Sequence, residues 1–197
     1  MKKTDTLQLI AESHSGVLKT SDAVQNGISR PYFLEYIKKN GYDKAGHGIY
    51  VSPDYWEDSL YLLQLRFPGT VYSYETALYL LGLSDREPSQ YEVTVKRGYN
   101  TKNLKAAGLK VYSVKQENFQ LGSTTAKTPF GNTINVYGAE RTICDILTSR
   151  SKVEIQDRQA ALKMYVKSAG KDIPKLMEYA KVFKVEKIIK QYLEVLL

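Results

Sequence analysis

One stretch near the N-terminus constrains this chain more than any other: "TSDAVQNGISRPYFLEYIKKNG", Thr20 to Gly41. Thr20 or Ser21 supplies an N-cap hydroxyl for a short helix through Asp22, Ala23 and Val24, and Asn26-Gly27 accepts the positive φ of a tight turn. Ser29 is a second N-cap, and Pro31 fits the first turn of the following helix, where its missing N–H leaves nothing unpaired. That helix stops at Asn40-Gly41. Phe33, Tyr36 and Ile37 fall at i, i+3 and i+4 and form its buried face, while Tyr32, Glu35, Lys38 and Lys39 lie off it. Two helices joined through a glycine turn, the second with a polar outer face and a basic end, describe a helix-turn-helix.

The flanking residues extend the pattern. Asp5 to Glu12 places Leu7, Ile10 and Ala11 on one face and completes a three-helix core. In "GYDKAGHGIYVSP", Tyr42 and Ile49-Tyr50-Val51 pair as strands across "DKAGHG", whose glycines and Asp suit a hairpin tip carrying Lys44 and His47. Helix, helix-turn-helix and hairpin in that order predict a winged helix, whose second helix enters a DNA major groove while the hairpin follows the backbone. Lys38, Lys39, Lys44 and His47 cluster at the helix end and hairpin tip, and His47 between glycines suits a neutral phosphate donor. A winged helix can also be a protein-binding adaptor that touches no DNA.

Pro53-Asp54 reads as a boundary, giving a winged-helix domain over 1–53 and a larger domain over 54–197. In the second, "YWEDSLYLLQLRF" puts Trp56, Leu60, Leu63 and Phe67 on one helical face, and "SYETALYLLGLSD" is a helix capped by Ser73 and ended by Gly82. From Gln90 the period changes to that of strands in "YEVTVKRG", "LKVYSVK", "FQLGSTTAKT" and "NTINVYG". Helices return in "AERTICDILTS", "EIQDRQAALKMYVKSA", "DIPKLMEYAKVF" and "VEKIIKQYLEVL". The expected class is therefore α+β, an N-terminal winged helix-turn-helix followed by a mixed domain with a small sheet and C-terminal helices.

Charge points to a polyanion. Twenty-eight Lys and Arg against 21 Asp and Glu leave a net +7, the balance expected of a nucleic-acid partner. Only an excess of two lies within residues 1–53, against four in each of 84–150 and 151–197. Lys163, Lys167 and Lys171, at i, i+4 and i+8, read as a solvated helix face or as a second surface for the DNA backbone.

Other classes find little support. "MKKTDTLQLI" leads into no apolar signal core, and no run approaches the roughly 18 apolar residues of a membrane span, so a cytoplasmic protein without membrane contact is expected. The single cysteine, Cys144, excludes an internal disulfide or a cysteine-based zinc cluster and reads as a small buried hydrophobe. His14 and His47 form no metal-ligand spacing, and there is no phosphate-binding glycine loop, so no metal or cofactor is expected. Glu140, Arg141 and Asp145 in "AERTICDIL" form either a structural ion pair or the acid/base set of a nucleotide- or phosphoryl-transfer enzyme. The ion pair is the expectation, and with it a protein that is not an enzyme.

Taken together, "LKTSDAVQNGISRPYFLEYIKKNGYDKAGHGIYV", "YSYETALYLLGLSD" and "VYGAERTICDIL" resemble the AbiEi-type antitoxins of type IV toxin-antitoxin, or abortive-infection, systems, over nearly the whole chain. The resemblance implies an N-terminal winged helix that represses its own operon at inverted repeats of double-stranded DNA. It also implies a C-terminal domain that counters a nucleotidyltransferase-like toxin without a stable complex. Carried over residue by residue, the recognition-helix positions are Ser29, Arg30, Tyr32, Glu35, Lys38 and Lys39, and the wing is Asp43 to Gly48. Thr20 and Ser21 of the preceding helix complete the expected DNA-binding set. Tyr42 stands where an aliphatic residue is expected, and Lys44 where arginine is common.

Overall fold

The computed structural model describes residues 2–196. It is a mixed α+β fold with two small sheets and helices at the C-terminal end. Its residues divide into two compact units, one running to Pro68 and taking in Lys127–Ile134, the other comprising Gly69–Ala126 and Asn135 onward. The first unit thus runs past Pro53.

In the first unit, α1 (Lys3–Ser13) leads into β1 (Val17–Lys19), α2 (Thr20–Gln25), α3 (Arg30–Lys39), β2 (Asp43–Gly46), β3 (Ile49–Val51) and α4 (Ser59–Arg66). Gly27, at φ 73, makes the turn between α2 and α3, a conformation that is strained for any residue with a Cβ. Leu7, Ala11, Leu18, Ala23, Ile28, Phe33 and Ile37 form one buried cluster. Three helices therefore share a core with β1, and α3 presents Phe33 and Ile37 to it as its spacing requires. Phe33 also meets Tyr50 edge-on, with ring centroids 5.6 Å apart, which fixes the hairpin against α3.

The first sheet has the order β1-β3-β2, with both pairings antiparallel. A bulge between Lys44 and Gly46 interrupts the hairpin, as an extra unpaired residue does. Val17, Ile49 and Leu62 pack together, so α4 covers the sheet.

Several local expectations are corrected. Thr20 and Ser21 lie inside α2, whose N-cap is Lys19, and Ser29 caps α3 without a side-chain hydrogen bond. Trp56 is 86% exposed and precedes α4, which begins after Asp58 because the Asp58 carboxylate accepts from the Tyr61 N–H at 3.0 Å. A side-chain cap of this kind sets the start of a helix more firmly than periodicity does.

The second unit is built on a five-stranded sheet of order β6-β5-β4-β8-β7, formed by β4 (Val71–Tyr72), β5 (Glu92–Lys96), β6 (Lys110–Val114), β7 (Ser123–Lys127) and β8 (Thr133–Tyr137). β5 and β6 run parallel, as do β4 and β8, whereas β4 and β5 are antiparallel. The helices are α5 (Tyr74–Leu80), α6 (Lys102–Ala106), α7 (Gln116–Gln120), α8 (Ala139–Leu147), α9 (Ile155–Lys167), α10 (Ile173–Phe183) and α11 (Glu186–Leu196). α8 is the hub, since Ile143, Cys144, Ile146 and Leu147 join residues from α5, α9, α10 and α11 in one cluster. α9 is shorter than its sequence suggests, for the helix ends at Lys167 with Ser168 extended, and Ile155 is 61% exposed.

Candidate nucleic-acid interface

The start of α2, the start of α3 and the β2–β3 hairpin surround a concave surface of about 420 Å³. Thr20 and Ser21 come from α2, Arg30 opens α3, and Lys44 and His47 come from the hairpin. Five of the residues expected from sequence are thus brought to one place although they span Thr20 to His47. The Thr20 N–H donates to the Gly48 carbonyl at 2.9 Å, tying the hairpin tip to α2. Gly48 has φ 68, and a Cβ there would lie 3.3 Å from Thr20 Oγ1. A side chain at this position is strained by the backbone and crowded by Thr20.

The surface is cationic. Arg30 and Lys44 are exposed and make no ion pair among the described residues. Lys19, which the sequence reading missed, also lines the surface, but its ammonium is 3.1 Å from Asp22. Its charge is therefore partly spent within the protein. The signal that could have found it is its place immediately before α2.

The other expected residues lie outside this concavity. Ser29, Glu35, Lys38 and Lys39 are exposed along α3, with both lysines in its last turn. Tyr32 is half-buried against the three-helix core, and the Lys3 ammonium sits 5.4 Å from its ring centroid. The Tyr42 ring lies 6.1 Å from that of Tyr36, and burial pushes its phenol up to about 12. Tyr42 thus serves α3 as a neutral packing group.

On α9, Lys163 and Lys167 are exposed and one helical turn apart. Lys171 follows the end of the helix and does not continue their stripe.

Glu140, Arg141 and Asp145 are all in the core of the second unit. Arg141 is 0% exposed; its Nε donates to Asp145 Oδ2 at 2.9 Å and its Nη1 to the carbonyls of Asn118 and Leu121. The guanidinium carbon lies 4.1 Å from the Tyr137 ring centroid and 4.2 Å from that of Phe183. Two aromatic faces replace part of the hydration this cation has lost. Nη2 has no hydrogen-bond partner among the described residues. Burial pushes the Asp145 carboxyl up to about 6 against the attraction of Arg141. Glu140 accepts from the Tyr165 hydroxyl at 3.0 Å and lies 3.8 Å from the Lys175 ammonium. Cys144 is buried, and desolvation pushes its thiol up to about 12, the state of a packing residue.

Among the described residues no helix is long and apolar enough to cross a membrane, and no three His, Cys, Asp or Glu side chains converge as a metal cluster would require.

No family model and no curated protein matches the chain. Among solved structures, it is similar to the Rv2827c protein from Mycobacterium tuberculosis. The two share 14% sequence identity at a TM-score of 0.59, over 89% of this chain and 70% of that one. At that identity the likeness speaks to the fold alone.

Proposed function

We propose that the first unit is a winged helix that binds duplex DNA, with α3 as the recognition helix and the β2–β3 hairpin as the wing. One observation carries the reading: Arg30 at the start of α3 and Lys44 and His47 on the hairpin line the same concave surface. Lys44 and His47 there suit phosphates, and Arg30 with the exposed polar face of α3 suits base edges. The sequence likeness to AbiEi-type antitoxins extends the proposal to an autorepressor acting at an inverted repeat and an antitoxin opposing a nucleotidyltransferase-like toxin. In this reading the second unit carries the antitoxin activity, Lys163 and Lys167 offer a further backbone contact, and no residue has a catalytic role.

The test is a gel-shift titration of the full chain on duplex DNA from upstream of its own gene and on a scrambled duplex. A preference for the upstream duplex of at least about a thousandfold is the range of specific binding; equal affinities for the two refute repression. Co-expression with a nucleotidyltransferase encoded beside it tests the antitoxin, for which rescue of growth is the expected outcome and continued arrest the refuting one.

A further inference from the structure

A second concavity, of about 480 Å³, lies entirely within the second unit. Its lining includes four cationic side chains, Arg97, Lys115, Arg150 and Lys184, and one acid, Asp145. Arg97 directly follows β5 and Lys115 directly follows β6. These strands are adjacent and parallel, so both cations stand at carboxyl ends of parallel strands, where open sheets hold their ligands. Arg150 follows α8 and Lys184 ends α10, bringing two further cations from the helical layer.

The charge is not compensated locally. Asp145 is engaged by Arg141, and none of the four lining cations forms an ion pair among the described residues. Arg141 itself stands behind the wall, since Asp145, Asn118 and Phe183 touch it and line the cavity. Its buried charge adds to the positive potential, which a low-dielectric surround strengthens. The remaining lining is mixed: Asn118, Thr148 and Ser149 are polar, while Val114, Leu147 and Ile188 belong to an apolar wall.

The backbone is unusual at the same place. Of three non-glycine residues with positive φ among the described residues, two, Tyr74 at φ 50 and Lys184 at φ 58, line this cavity. Lys184 adopts its conformation as the left-handed C-cap of α10, whereas Tyr74 stands in the first position of α5, and such backbone concentrates where a site must be held in shape.

We propose that this cavity binds a nucleoside polyphosphate, with Arg97, Lys115, Arg150 and Lys184 around the phosphates and the apolar wall against the base. Four cations match the charge of a triphosphate, and the volume falls within the range of small-ligand sites. The site belongs to the second unit and is independent of the DNA-binding reading.

Calorimetric titration of the full chain with ATP, GTP, tripolyphosphate and inorganic phosphate at low salt tests it. Saturable binding of at least one nucleotide, tenfold or more tighter than inorganic phosphate, is expected. The doubly substituted Arg97→Gln/Lys115→Gln chain should lose at least tenfold of that affinity, and Lys105→Gln, on α6, none. All three positions are exposed, and an unchanged circular dichroism spectrum establishes that each variant is folded. Nucleotide binding that is absent at millimolar concentration, or unaltered in the double variant, would overturn the proposal. Tripolyphosphate binding as tightly as either nucleotide overturns the role of the apolar wall. Displacement of the nucleotide by non-specific duplex DNA would reassign the cations to backbone phosphates and also overturn it.

Discussion

Replacing Asp145 with Asn decides which of two opposing forces governs the buried ion pair in α8. Asp145 is 4% exposed and its partner Arg141 0%, so desolvation opposes the carboxylate while a guanidinium N–H at 2.9 Å favours it. Desolvation wins, for the carboxyl rises from its ordinary 3.8 to about 6. A group whose folded value lies above its unfolded one binds its proton more tightly when folded. Its stabilising contribution is complete below about pH 4 and is lost as pH rises through about 6. A rise of that size is worth about 3 kcal/mol between the two protonation states. Asn cannot titrate, so the stability difference between wild type and Asp145→Asn isolates this group. Urea unfolding at pH 3, 5 and 7.5, followed by far-ultraviolet circular dichroism, measures it. The stability of wild type relative to the variant should fall by about 2–3 kcal/mol between the lowest and highest pH. A difference that does not change with pH refutes the dominance of burial. One that grows with pH would mean that Arg141 outweighs burial and holds the carboxyl below its ordinary range.

Three further expectations concern the DNA-binding reading. Arg30→Ala should cost about 1–3 kcal/mol on the upstream duplex and less on a scrambled one, if its guanidinium reads a base edge; equal losses by gel shift would move it to the backbone. Lys44→Ala should weaken both duplexes alike and flatten the dependence of log affinity on log salt by about 0.9, and Lys163→Gln with Lys167→Gln by up to about 2 if α9 also touches DNA; fluorescence anisotropy across a salt series reads both. Phe33→Ala removes a fully buried ring and its contact with Tyr50, and should destabilise the first unit by about 3–5 kcal/mol; unchanged thermal unfolding monitored by far-ultraviolet circular dichroism would contradict the core assignment.

The elements legible in the sequence are those whose signals are local. α3 carries its own start at Ser29-Arg30-Pro31, its apolar spacing and its stop at Asn40-Gly41, and the structure places it at Arg30–Lys39. The long strands and the four C-terminal helices have enough residues to express a period. β1 and β4 do not, at three and two residues; each exists because a distant strand pairs with it. α6 and α7, of five residues each, are shorter than an isolated helix can sustain and depend on packing. The error at Trp56 has the opposite cause. Its spacing fits the α4 period, but the Asp58 cap begins the helix beyond it.

The candidate interface was partly legible because glycines and cations mark the hairpin. Thr20 and Ser21 of α2 were in the expected set, but the hydrogen bond from Thr20 to Gly48 that ties α2 to the hairpin could not be read from sequence. Most of the surroundings of Arg141 were not legible, since beside Asp145 its partners are Tyr137, Phe183 and the carbonyls of Asn118 and Leu121. Only the i, i+4 relation to Asp145 can be read from sequence.

The inclusion of Lys127–Ile134 in the first unit has a consequence for how the protein is made. The buried Asp58 carboxylate accepts from the Thr128 hydroxyl and the Asn132 amide, and the Ser15 hydroxyl donates to Asn132. When Pro68 leaves the ribosome these partners are not yet synthesised. At about 5–20 residues per second, the intervening Gly69–Ala126 takes roughly 3–12 s to translate. Throughout that interval Asp58 must stay solvated, because a carboxylate is not buried without its donors. The N-terminal unit, although first in the chain, is therefore completed from its middle, and a truncated product ending before residue 127 emerges without the donors that close it.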